Sequence, residues 1–159
     1  MVIKFGKLFK ELSTNKIVCL DYDKSQNYYK FIKNKQSNGY CQCIVTSDIM
    51  ITIIQNYILK GNVEIIAIEF MVEDQELQEE IDKLLSFMKQ NLGYWEILKK
   101  KLSFLRENDS IEMKKVDFRM LDGTGGVFSI QVNGIVGVTE NRYEEVTTEI
   151  STMTGGCIK

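Results

Sequence analysis

The stretch EDQELQEEIDKLLSFMKQ, followed by NLG and then YWEILKKKLSFLREN, constrains the fold more than any other part of this chain. Leu77, Ile81, Leu84, Leu85 and Met88 recur at helical spacing, and Trp95, Leu98, Leu102 and Leu105 resume the same period after the break. Acidic residues open the first segment, where a helix dipole favours them. Residues 74–107 are therefore expected to form a helical hairpin or a bent pair of helices, each with one apolar stripe to bury. Any sheet in the protein must offer a face to that pair.

Strand patterns lie on both sides of it. Residues 16–22 (KIVCLDY), 27–33 (NYYKFIK) and 39–46 (GYCQCIVT) are rich in β-branched and aromatic residues, with turn chemistry in the DKSQ and NKQSNG between them. They read as three antiparallel strands in a meander. Before them, Phe5, Leu8, Phe9 and Leu12 fall at helical spacing, which predicts a short amphipathic helix over 3–13.

IMITIIQNYILK at 49–60 reads as a buried helix with Ser47 and Asp48 as caps and Gly61 just past its end. NVEIIAIEFMV at 62–72 reads as an interior strand, interrupted only by Glu64 and Glu69. A strand over about 112–121 follows from Val116, Phe118 and Met120 alternating with Asp117 and Arg119. Phe128, Ile130 and Val132 alternate before Asn133-Gly134, a strong hairpin signal, and IVGVT completes the hairpin. The tail from Asn141 fits a helix with a Tyr143, Val146, Ile150, Met153 stripe and terminal glycines, and also a strand; helix is favoured. The expected fold is a single α+β domain spanning residues 1–159, with a largely antiparallel sheet of six or seven strands packed by a central helix and a helical hairpin.

Composition narrows the chemistry. Among 159 residues there is no histidine and no proline. Without histidine, Ser-His-Asp and Cys-His nucleophile pairs, zinc-peptidase helices and His-containing zinc fingers are excluded. Four cysteines, Cys19, Cys41, Cys43 and Cys157, are too few and too unevenly spaced for a secreted disulfide framework. No apolar run reaches the roughly 18 residues needed to span a bilayer, and MVIKFGKLFKEL lacks the apolar core of a secretory signal. The cytoplasm is the expected compartment. Abundant Lys, Ile and Asn beside the missing Pro and His fit a low-GC coding bias, hence a bacterium, a phage or another mobile element.

Four constellations hold chemistry-bearing residues. The DGTGG loop at 122–126 is glycine-rich like a phosphate cradle, but a strand pattern follows where a helix N-terminus is needed, so a tight hairpin is the better reading. Asp21 and Asp23, at a strand end, would point to one side and so could ligate a divalent cation, but a solvated turn is the better reading. Cys41 and Cys43 would share a strand face, yet C-x-C within a strand is a weak metal signal and buried hydrophobic thiols are favoured. Lys99, Lys100, Lys101 and Arg106 near Tyr94 and Trp95 resemble a single-strand binding set, but a net charge of −2 gives no domain-wide basic footprint.

Charge is unevenly distributed. Residues 1–36 carry eight lysines against Glu11, Asp21 and Asp23, whereas residues 73–83 carry six acids and one lysine. The acidic run, with Glu73, Asp74, Glu76, Glu79 and Glu80, is a candidate docking surface for another protein, a basic one by complementarity, although a solvated helix face with favourable dipole placement is the simpler explanation. The leading expectation is a non-catalytic interaction module, of the inhibitor or immunity-type neutraliser kind that mobile elements encode, with no catalytic residue and no cofactor assigned. The alternatives are a metal-dependent enzyme acting on a phosphorylated or nucleotide substrate through Asp21 and Asp23, with Glu64 or Glu69 as a third ligand, and a homo-oligomeric structural subunit. Nucleic acid and membrane are disfavoured partners, and oligomeric state is open.

Overall fold

A computed structural model describes residues 2–158. The fold is α+β, with five α-helices and a seven-stranded antiparallel sheet among the described residues. Its backbone contacts divide it into two compact units, one formed by the chain up to Val45 together with the chain from Phe128 onward, the other by Thr46–Val127. Among the described residues, no helix is long and apolar enough to cross a membrane.

In the first unit, strand β1 (Ile3–Glu11) replaces the helix expected over 3–13. It pairs antiparallel with β2 (Lys16–Asp21), and on its other edge with β7 (Ile135–Thr139) along Ile3–Lys7 and with β3 (Tyr40–Gln42) along Phe9–Glu11. Both of its faces are covered. Phe9 packs edge-on to Phe31, centroids 5.8 Å apart, while on the opposite face a side chain at Gly6 would meet the Tyr143 hydroxyl and the Cys19 sulfur. Gly6, Lys7, Leu8 and Phe9 are consecutively buried, so no alternation survives in the sequence, and the helical spacing of the apolar residues there is fortuitous.

The meander fails for the same segment of chain. Residues expected as a strand over 27–33 form helix α1 (Tyr28–Ser37), capped by the Asn27 side chain, which accepts from the Lys30 N–H at 3.0 Å. Phe31 and Ile32 are buried against Phe9, with Tyr28 partly buried one turn earlier, which is the i, i+3, i+4 pattern of a helix face. The third expected strand shrinks to β3. The hairpin of β6 (Val127–Gln131) and β7 is as expected, with Ile130 opposite Val136. Its turn is closed by the Gly134 N–H on the Gln131 carbonyl at 2.9 Å, and Gly134 alone takes a positive φ of 84° in it. That is a three-residue loop with a left-handed glycine rather than a two-residue Asn-Gly turn. Helix α5 (Tyr143–Cys157) completes this unit after a 3-10 turn at Glu140–Arg142, and extends past the glycines expected to end it.

The second unit follows the sequence more closely. Helix α2 (Ser47–Lys60) has Thr46 as its cap, one residue before the expected Ser47, and ends at Gly61 with φ 71°. Ser47 is instead buried, accepting from the Met113 N–H at 3.0 Å and donating to the Glu112 carboxylate. Strand β4 (Val63–Phe70) pairs with β5 (Met113–Met120) and ends the sheet rather than lying in its interior. A bulge at Ile66 moves the inward set from Val63 and Ile65 to Ile68 and Phe70. The expected hairpin is present as α3 (Gln75–Gln90) and α4 (Tyr94–Asp109), whose buried stripes are Leu77, Ile81, Leu85, Met88 and Trp95, Leu98, Leu102, Leu105.

Candidate functional site

The acidic run sits where the local physics of a helix start puts it. Asp74 is the cap of α3, its carboxylate accepting from the Leu77 N–H at 3.0 Å, and anionic side chains in the first turn complement the exposed N–H groups there. The Gln78 amide donates to the Ile68 carbonyl at 2.9 Å and to Asp82 at 3.0 Å, which ties the helix start to β4. Between strand and helix lies an open depression of about 520 Å³, lined by Glu69, Val72, Glu73, Asp74, Gln78 and Lys114 among others. Met71 and Val72 stand exposed beside it, at 57% and 45% of their free surface.

The five acidic residues do not act alike. Glu80 is paired with Lys101 at 3.2 Å, and Glu79 accepts from the Gln75 amide at 3.0 Å. Asp74 is committed to its own helix. Glu73 and Glu76 make no ion pair among the described residues, so their charges face solvent. Next to exposed methionine and valine, this is a surface with an apolar anchor point and an anionic surround.

Asp21 and Asp23 have separate engagements. The Tyr143 hydroxyl donates to Asp21 at 2.9 Å, and the Lys4 ammonium lies 3.3 Å from its other oxygen. Asp23 accepts from the Ser25 N–H at 2.9 Å and the Ser25 hydroxyl at 2.8 Å, bonds that hold its carboxyl below the usual range. Glu64 is paired with Arg119 at 2.8 Å, and Glu69 lines the depression beside α3. Among the described residues, no group of three or more His, Cys, Asp or Glu side chains is placed to hold a metal ion.

The cysteines are all free, and Cys41 is exposed whereas Cys43 is buried. Burial pushes the Cys19 thiol up to about 11, with the Tyr143 hydroxyl 3.9 Å from its sulfur, and raises Cys43 as well. Neither is a thiolate at neutral pH. The DGTGG loop is a tight turn: Asp122 accepts from the Thr124 N–H at 3.1 Å and its hydroxyl at 2.6 Å, with Gly123 and Gly125 at positive φ.

Two features of the first unit were not anticipated from the sequence. Lys7 is fully buried, its ammonium donating to the Asn133 carbonyl, and desolvation lowers it to about 8. A second depression, of about 500 Å³, runs along α1. Reading α1 as a strand hid it, since its lining residues share one side only in a helix. Comparison of the chain with protein-family models, with curated proteins and with solved structures finds no match.

Proposed function

We propose that the chain is a non-catalytic protein-interaction module that docks a basic partner on the N-terminal face of α3. The observation that carries this reading is the coincidence at one place of unpaired Glu73 and Glu76, exposed Met71 and Val72, and the open depression between β4 and α3. Apolar residues at the centre of an interface supply affinity through desolvation, and methionine adapts its shape to what it meets. A surrounding set of like charges speeds encounter with an oppositely charged partner and rejects others. The fitting partner is a lysine- or arginine-rich protein segment bearing one large apolar side chain. A neutraliser of a basic protein, of the immunity type, needs such a surface and no catalytic group.

Isothermal titration with lysine- and arginine-rich peptides carrying a central Leu or Phe tests the reading. Binding should weaken at least about tenfold in Glu73→Lys/Glu76→Lys and fall with added salt. Substituting Met71 with Ser should weaken it at unchanged salt dependence. Affinity that ignores both changes, or binding of acidic peptides equally well, would overturn the proposal.

A further inference from the structure

Residues 24–47 contain four lysines, Lys24, Lys30, Lys33 and Lys35, and no acidic residue. Helix α1 gathers three of them. Gln26, Asn27, Lys30, Phe31, Asn34 and Lys35 line the depression of about 500 Å³ together with Asp21. Tyr29 stands 82% exposed on the adjoining face, and Lys33 lies one helical turn beyond it. Lys35 in the last turn suits the helix dipole, but Lys30 in the first turn, with no acid there, is opposite to what the dipole favours.

We infer that this groove binds single-stranded nucleic acid, independently of the acidic surface on α3. Lysines supply sequence-independent contacts to phosphates. An exposed tyrosine offers a flat face on which a base stacks. The amide NH2 groups of Gln26, Asn27 and Asn34 can donate to base edges and sugar hydroxyls, while the Gln26 and Asn27 oxygens accept from the Asp23 and Lys30 N–H groups. Asp21 is the one carboxylate lining the groove, and the Lys4 ammonium 3.3 Å away offsets its charge. An acidic peptide would satisfy the lysines and, through its backbone, the amides, but aspartate and glutamate carry no ring to stack on Tyr29.

Fluorescence anisotropy of a labelled oligothymidylate, at low and at physiological salt, tests the inference on the full chain. The wild type should bind at low salt, and Lys30→Glu/Lys33→Glu, both at exposed positions, should bind at least about tenfold more weakly. The same variant should reduce the slope of log affinity against log salt by about 0.7 for each phosphate that is no longer neutralised. Tyr29→Ala should weaken binding without changing that slope. No rise in anisotropy at low salt would overturn the inference, as would binding indifferent to these substitutions. Displacement of the strand by polyglutamate at equal charge concentration would assign the groove to acidic peptides instead. Circular dichroism of each variant shows that the fold persists.

Discussion

Helices α1 and α3 start in the same way and present opposite surfaces. Each is capped by a side-chain oxygen that accepts an N–H three residues on, Asn27 from Lys30 and Asp74 from Leu77, both at 3.0 Å. Residues 24–47 then hold four lysines and no acid, whereas residues 73–82 hold six acids and no base. Helix α3 buries four residues on a continuous stripe and places its negative charge where the dipole favours it. Helix α1 buries only Phe31 and Ile32, and carries a cation in its first turn. One helix is supported by its own sequence; the other is held by what it packs against. Charge on α3 is thus partly accounted for by folding, as is Lys35 in the last turn of α1, but Lys30 in the first turn of α1 is not.

Variants of the two units test how far that contrast extends. The largest effect is expected at Gly134 in the first unit, where φ is 84° and a Cβ would lie 2.5 Å from the Cys43 carbonyl oxygen. Gly134→Ala should cost roughly 3 kcal/mol or more in urea unfolding, combining a left-handed backbone with a clash against main chain. Gly123 of the second unit has the same φ of 84° but nothing within 4 Å, so Gly123→Ala should cost about 1 kcal/mol. Equal losses would show that backbone conformation alone sets the cost.

Lys7 provides the next test. Its pKa of about 8 in the folded protein lies below the 10.5 of the unfolded chain, so between those values the unfolded state binds more protons. Stability from this group therefore rises as pH increases from about 8 to 10.5, and is flat below, where both states are protonated. Lys7→Met should remove the rise, read as the difference between the two proteins' urea midpoints across that window.

Ser47 in the second unit and Tyr143 in the first compare hydrogen bonds of different burial. Ser47→Ala leaves the Met113 N–H without its partner and should cost about 2 kcal/mol, while Tyr143→Phe loses the bond to Asp21 and should cost about 1 kcal/mol. The smallest effects belong to the caps. Asn27→Ala and Asp74→Ala should each cost about 1 kcal/mol at low salt. Only the Asp74 loss should shrink as salt is added, because its carboxylate also interacts with the dipole. A salt-independent Asp74 loss would reduce that cap to its hydrogen bond alone.

How much the sequence disclosed follows the same division. In the second unit, burial is one-sided, so α3, α4 and β5 carry their period openly. Even the dense β-branched run of α2 was legible, through Gly61 and the polar residues before it. In the first unit, β1 is covered on both faces and shows no alternation, and α1 has ten residues with only two buried. The Asn27 cap and the Tyr28, Phe31, Ile32 spacing were signals of a helix there, outweighed by aromatic and β-branched content that also suits a strand. The acidic surface was legible as composition, but the exposed Met71 and Val72 and the depression beside them depend on how β4 meets α3. The groove along α1 depends on knowing that the segment is helical, and the burial of Lys7 depends on the β6–β7 turn that supplies Asn133.

The pairing of β1 with β7, Ile3 opposite Thr139, sets a condition on biosynthesis. At translation rates of about 5–20 residues per second, the partner of β1 emerges on the order of ten seconds after β1 itself. During that interval the whole of Thr46–Val127 leaves the ribosome and can close on its own contacts. The nascent β1, with its Ile3–Lys7 edge unmatched until β7 emerges, is then the segment with most to gain from a chaperone.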